Sequence, residues 1–152
     1  MIATFGDNAH CQLGQRAGRP QKPSHVPLPC RVSMAALGGA HSVVVSTDGQ
    51  VWSWGDADKL GLPRGRSLGC VTTVAAPSRI TALRASRITL ADVGATFTLA
   101  ASSDGSLFSW GSSAGPTPQP TVPRRILRFD TAVEMLACGG LHSLILLRGG
   151  AV

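Results

Sequence analysis

The segment GGAHSVVVSTDGQVWSWGDADKLG, Gly38 to Gly61, decides the fold. It holds a His, a β-branched run, an Asp-Gly dipeptide and two tryptophans between glycines, so it reads either as a site or as architecture. Its second appearance decides between them. GATFTLAASSDGSLFSWG, 94–111, aligns with 38–55 without a gap at an offset of 56. Gly38, Ser46, Asp48, Gly49, Ser53, Trp54 and Gly55 recur as Gly94, Ser102, Asp104, Gly105, Ser109, Trp110 and Gly111, while His41 becomes Phe97. Internal repetition has to be settled before any element is assigned, because a missed repeat misplaces all of them.

A third copy starts at CGGLHSLILL, where Gly139 and His142 match Gly38 and His41, and it breaks off partway. The other half of a unit opens the chain. MIATFGDNAHCQLG, 1–14, follows the pattern of QVWSWGDADKLG, with Phe5, Gly6 and Asp7 under Trp54, Gly55 and Asp56. About three units result: 1–55, 56–111 and an incomplete 112–152, which residues 1–6 are placed to complete.

Within each unit, apolar runs flanking Asp-Gly predict a tight β-hairpin, since the glycine accepts the positive φ of the turn. The second strand alternates, Trp52 and Trp54 opposite Val51 and Ser53, as a half-buried strand does. The first strand, VVV, LAA or LILL, is apolar on both faces and predicts a sheet covered on both sides. VSMAAL, ITLADV and VEMLAC precede the hairpins and read as further strands. Three or four strands per unit, with no helix, predict an all-β chain: a partial or short β-propeller of about three blades of antiparallel strands.

The composition agrees. Of 152 residues, 43% are apolar and 14% charged, which argues against disorder, and 18 Gly with 10 Pro are scattered as turn formers. Fourteen basic residues against eight acidic give a charge of +6, with 12 of the basics arginine, so acidic surfaces and nucleic acid are admissible partners. The arginines form loose groups rather than a dense arm. Arg16, Arg19, Arg64, Arg66, Arg124 and Arg125 are the candidate partner-binding loop residues. Cys11, Cys30, Cys70 and Cys138 are too far apart for a zinc or dithiol motif, and neither a signal peptide nor an apolar span long enough for a bilayer is present. An intracellular protein, cytoplasmic or nuclear and without a cofactor, is the expectation.

No residue set predicts catalysis. His41 and His142 share a repeat position with Phe97, so a packed structural role is expected rather than ligation. Asp48 and Asp104 are accounted for by their turns. Ser42, Thr98 and Ser143 occupy one repeat position and need no Ser-His-Asp assignment. Gly38, Gly39, Gly139 and Gly140 are followed by neither Gly-Lys-Ser nor a helix, so no phosphate loop is expected. The tryptophans read as packing between blades.

GDNAHCQLG, LGGAHSVVVSTDGQVWSWGD and CGGLHSLIL resemble the regulator of chromosome condensation repeat family. That resemblance covers nearly the whole chain. It implies a β-propeller, usually of seven four-stranded blades, in a family that includes the exchange factor for the small GTPase Ran, which also binds chromatin, and proteins that use the propeller to hold partners. Departures are visible: Cys11 stands where the loop usually has Gly, the second loop is shortened to GDADKLGLP, and SSAGPTP has lost Gln-Leu-Gly. No insertion matches the wedge of the Ran exchange factor. The resemblance therefore implies a non-catalytic protein-interaction module, with guanine-nucleotide exchange and chromatin or nucleic-acid binding as the alternatives. Three units do not close a ring of that kind, which leaves two expectations: a homodimer in which MIATFG of one copy completes the sheet of another, or a sequence that is an excerpt of a longer protein.

Overall fold

A computed structural model describes residues 2–16, 22–63, 72–112 and 121–149. Twelve strands are found among them. They are β1 (Ile2–Thr4), β2 (Ser24–Val26), β3 (Val32–Leu37), β4 (His41–Ser46), β5 (Val51–Asp56), β6 (Thr73–Arg79), β7 (Ile88–Val93), β8 (Phe97–Ser102), β9 (Ser106–Gly111), β10 (Arg124–Arg128), β11 (Val133–Cys138) and β12 (Ser143–Leu147). The strands form two four-stranded antiparallel blades, β3-β4-β5-β6 and β7-β8-β9-β10, and two pairs, β1-β2 and β11-β12. By their place in the repeat, β1 and β2 are the third and fourth strands of a blade, and β11 and β12 the first and second. The partial propeller of about three blades is thus two whole blades flanked by two halves.

VSMAAL, ITLADV and VEMLAC are strands β3, β7 and β11, as their shared position predicts. Each begins with the same register shift against the next strand, between Val32 and Met34, Ile88 and Leu90, and Val133 and Met135. The fourth strands fall in Pro-punctuated segments whose sequence predicts loop. β6 contains Pro77 and β10 is Arg-Arg-Ile-Leu-Arg, sequences that lack an apolar face. Both lie on a sheet edge, where a proline costs no ladder hydrogen bond and charge is tolerated.

The core is a series of seams between neighbouring blades. Val43, Val45 and Val51 of one blade meet Ile88, Ala91, Val93, Ala100 and Trp110 of the next. Val44 and Trp54 face the other way, onto Val26 and Ile2. Successive residues of a strand point to opposite faces, so β4 is buried along its whole length because a blade lies on each side of it. Ala101 and Leu107 repeat the arrangement against Val133, Leu136 and Ile145.

Candidate interaction surface

Several of the repeated polar residues join one blade to the next segment of the array. His41 is fully buried, and its Nε2 lies 2.9 Å from the hydroxyl of Thr98 in the next blade. Its Nδ1 is buried without a partner among the described residues. A proton on Nε2, donated to Thr98, leaves only a lone pair unsatisfied, which costs less than an orphaned N–H. Burial, with Lys59 adding and Asp56 opposing, lowers the His41 pKa to about 4. The imidazole is therefore neutral at physiological pH.

Unfolded His41 titrates near 6.5 and folded His41 near 4, so the unfolded chain takes the proton first. Stability from this residue is complete above pH 6.5 and is lost as pH falls toward 4, by up to about 3 kcal/mol. Urea melts at pH 7 and pH 4 measure it. His41→Phe, the residue its sister copy carries as Phe97, should flatten that segment of the profile; parent and variant profiles running parallel would contradict the assignment.

Ser42, beside His41, donates its hydroxyl to the carbonyl of Gln12 at 2.7 Å, and Trp54 Nε1 donates to the same carbonyl at 2.8 Å. The loop that follows β1 is thereby fastened under the second blade. Thr4 donates to the Leu13 carbonyl at 2.7 Å, and Ser53 makes the equivalent bond to Leu60, also 2.7 Å. Cys11 has φ +59°, the left-handed conformation that glycine adopts without strain, which is why glycine is the usual residue there. In the sister copy Thr98 turns to His41, and Trp110 Nε1 has no partner among the described residues.

Asp48 accepts from Ser46 and Asp104 from Ser102, each within its own turn. These hydroxyls, the largest cause, hold both carboxyls below their ordinary pKa. A carboxylate fixed as an acceptor inside a turn is unsuited to proton transfer. Ser42, His41 and Asp48 do not converge as a triad: Ser42 points to Gln12, His41 to Thr98 and Asp48 to Ser46. No group of three His, Cys, Asp or Glu that could hold a metal exists among the described residues. Burial, above all, raises the Cys138 thiol to about 11 and also pushes Cys30 up, so neither is a ready thiolate. Gly38, Gly94 and Gly139 precede hairpins; at Gly38 a side chain would strike Val93 of the next blade, a Cβ falling 2.6 Å from its Cγ1. His142 sits exposed at the start of the last hairpin.

The candidate arginines are not all where loops were expected. Arg124 and Arg125 open β10 and pair with Ser109 and Phe108, so they belong to a strand. The Pro-rich run before them suggested a loop, but β9 offers a free edge that this segment covers. Every residue of β10 is exposed, and its outer edge carries Arg124, Arg125, Ile126, Leu127 and Arg128. Arg128 reaches Asp104 at 3.9 Å. Arg16 is exposed in the first loop, and Arg19, Arg64 and Arg66 lie outside the described residues. No sequence signal marks Gln12, whose role is that of a backbone carbonyl, and the repeat position of Thr98 does not disclose its partner, His41, 57 residues away.

Antiparallel four-stranded blades that repeat along the chain and pack face to face define a β-propeller repeat protein. Models of the regulator of chromosome condensation (RCC1) repeat match residues 48–101 and 32–59. The chain belongs to that repeat family. It is 29% identical to the human regulator of chromosome condensation over 154 residues, covering 95% of this chain and 35% of the relative. Human E3 ubiquitin-protein ligase HERC2 is 40% identical over 74 residues, 49% of this chain and 1% of the ligase. Prp20p of Saccharomyces cerevisiae, a structure described together with its binding to Gsp1p and histones, superposes with a TM-score of 0.80 at 24% identity, over 94% of this chain and 38% of that one. The chain spans about a third or less of the length of these relatives. No helix among the described residues is long and apolar enough to cross a membrane.

Proposed function

We propose that the chain is a non-catalytic protein-interaction module of the cytoplasm or nucleus, which holds an acidic protein segment on its outer edge and loops. The observation that carries this reading is β10: five consecutive exposed residues, three of them arginine, on the outermost strand of a whole blade. An unpaired edge offers backbone hydrogen bonds to an extended segment, and the arginines select for carboxylates. His41, Ser42, Ser53 and Trp54 support the same reading, because their polar atoms are bonded within the scaffold.

Peptides selected on the purified chain from a displayed random library provide the test. Acidic sequences should emerge, and the doubly substituted Arg124→Glu/Arg125→Glu chain should bind them at least tenfold more weakly with its melting temperature unchanged. Selection of neutral peptides indifferent to this substitution would overturn the reading. Two further outcomes would replace it. Accelerated nucleotide release from Ran would assign exchange activity, and steeply salt-dependent DNA binding stronger than that of the peptides would assign a nucleic-acid partner.

A further inference from the structure

The face of the array that carries the Asp-Gly turns is basic where the two whole blades meet. Arginines from three strand ends surround the turn at 47–50 there. Arg31, just ahead of β3, accepts from the Thr47 N–H at its carbonyl, 2.9 Å away. Arg79 closes β6 and donates from Nη2 to the side-chain oxygen of Gln50. Arg87, just ahead of β7 in the next blade, lies over Gly49: an added Cβ there would stand 2.7 Å from its Cγ, and the neighbouring Ile88 N–H donates to the Gly49 carbonyl at 3.1 Å. All three arginines are exposed, and so is Arg84 in the connection between β6 and β7.

Asp48, within that turn, accepts from Ser46. The Ser46 hydroxyl first, and Arg79 as a smaller cause, hold its carboxyl below the ordinary pKa, so the guanidinium charge reaches the turn. Three arginines less this one carboxylate leave a charge of +2 around the turn. The second whole blade does not repeat the patch. Phe129 and Thr131 close on Gly105 where Arg87 closes on Gly49, Asp130 lies between them, and Arg128 stands 3.9 Å from Asp104. A requirement of the fold recurs in both blades, as the Asp-Gly turn and the Trp-Gly ending do. The arginine cluster does not recur, so it belongs to this surface and not to the scaffold.

We infer that this face binds a phosphorylated serine or threonine of a partner protein, held by the guanidiniums of Arg31, Arg79 and Arg87. A phosphate monoester carries about −1.5 to −2 charges at pH 7 and three acceptor oxygens, which match the net charge of the patch and the donors of guanidinium forks. Asp104 and Asp130 beside the second turn keep the basic area local. It therefore suits a single dianion better than a nucleic-acid backbone, which is held by positive charge along a groove. The inference rests on the reading of the chain as an interaction module but not on the acidic-segment edge. Arg124 and Arg125 lie at the far end of β10, across from Ser109 and Phe108, whereas Arg128 is the end next to the turn. Both blades that build the patch are whole.

A degenerate peptide library with one fixed phosphoserine, set beside the same library carrying serine, tests the inference on the purified chain at physiological salt. The phosphorylated library should bind roughly tenfold more tightly, or better. Arg31→Ala, Arg79→Ala and Arg87→Ala should each cut that preference by roughly threefold with little change in melting temperature, because the side chains are exposed. Arg148→Ala, an exposed arginine 3.6 Å from Glu134 at the third hairpin, controls for general charge and should leave the preference intact. Equal binding of the two libraries, or a preference that survives Arg31→Ala/Arg79→Ala/Arg87→Ala, would overturn the inference. So would duplex DNA that displaces the phosphopeptides at equal phosphate concentration, since the occupant would then be a nucleic acid. A chain that binds acidic peptides yet shows no phosphate preference removes this surface alone; one that binds neither removes the interaction-module reading with it.

Discussion

Trp110→Ala is expected to lower the unfolding free energy by about 3–5 kcal/mol, the loss that truncation of a fully buried aromatic brings. The indole is 0% exposed and sits in the seam where Val43, Val45 and Val51 of one blade meet Ile88, Ala91 and Val93 of the next. Its removal takes away apolar contact and leaves a cavity walled by strands of two sheets, which cannot collapse without moving a blade. Chemical denaturation followed by circular dichroism measures the loss. Trp52→Ala, at a half-buried position of the preceding seam, should cost less than half as much. Equal losses at the two sites would mean that the seam between whole blades is not the centre of stability.

The second large effect is Gly55→Ala, with an expected loss of about 2–5 kcal/mol from backbone strain and overpacking together. Gly55 has φ +116°, a region closed to residues with a Cβ. An added Cβ would also stand 2.4 Å from the Ala40 carbonyl oxygen and 2.7 Å from the His41 Cα, both backbone and unable to yield. Gly111 repeats the geometry at φ +131°, 2.4 Å from the Thr96 carbonyl. Gly39→Ala, where a Cβ meets nothing within 4 Å, is the control and should change stability by no more than about 0.5 kcal/mol. A Gly55→Ala chain as stable as the control would contradict the reading of the Trp-Gly ending as a steric requirement.

What the sequence disclosed follows from which forces repeat. The Asp-Gly turn, the Trp-Gly ending and the doubly apolar strand recur because each unit solves the same packing problem, so β3, β4, β5, β7, β8, β9, β11 and β12 were legible from the alignment of units. The fourth strands β2, β6 and β10 bury few side chains, Val26 being the exception, and backbone pairing imposes little on the rest. Ser24-His25-Val26, a strand with Pro77 and a strand of arginines therefore looked like loops. The replacement of His41 by Phe97 in the sister copy favours a packed structural role at that position. That the imidazole spans two blades to reach Thr98 could not be read, because the contact depends on blade rotation rather than on spacing.

The central claim is that the repeated residues build the scaffold while the basic outer edge does the binding. Affinity for one library-selected peptide, measured beside the melting temperature, tests it with two variants. His41→Phe should leave affinity within twofold while flattening the pH dependence of stability, and Arg124→Glu/Arg125→Glu should lose at least tenfold in affinity with no loss of stability. A folded His41→Phe chain that no longer binds, with the arginine variant binding normally, would contradict the account.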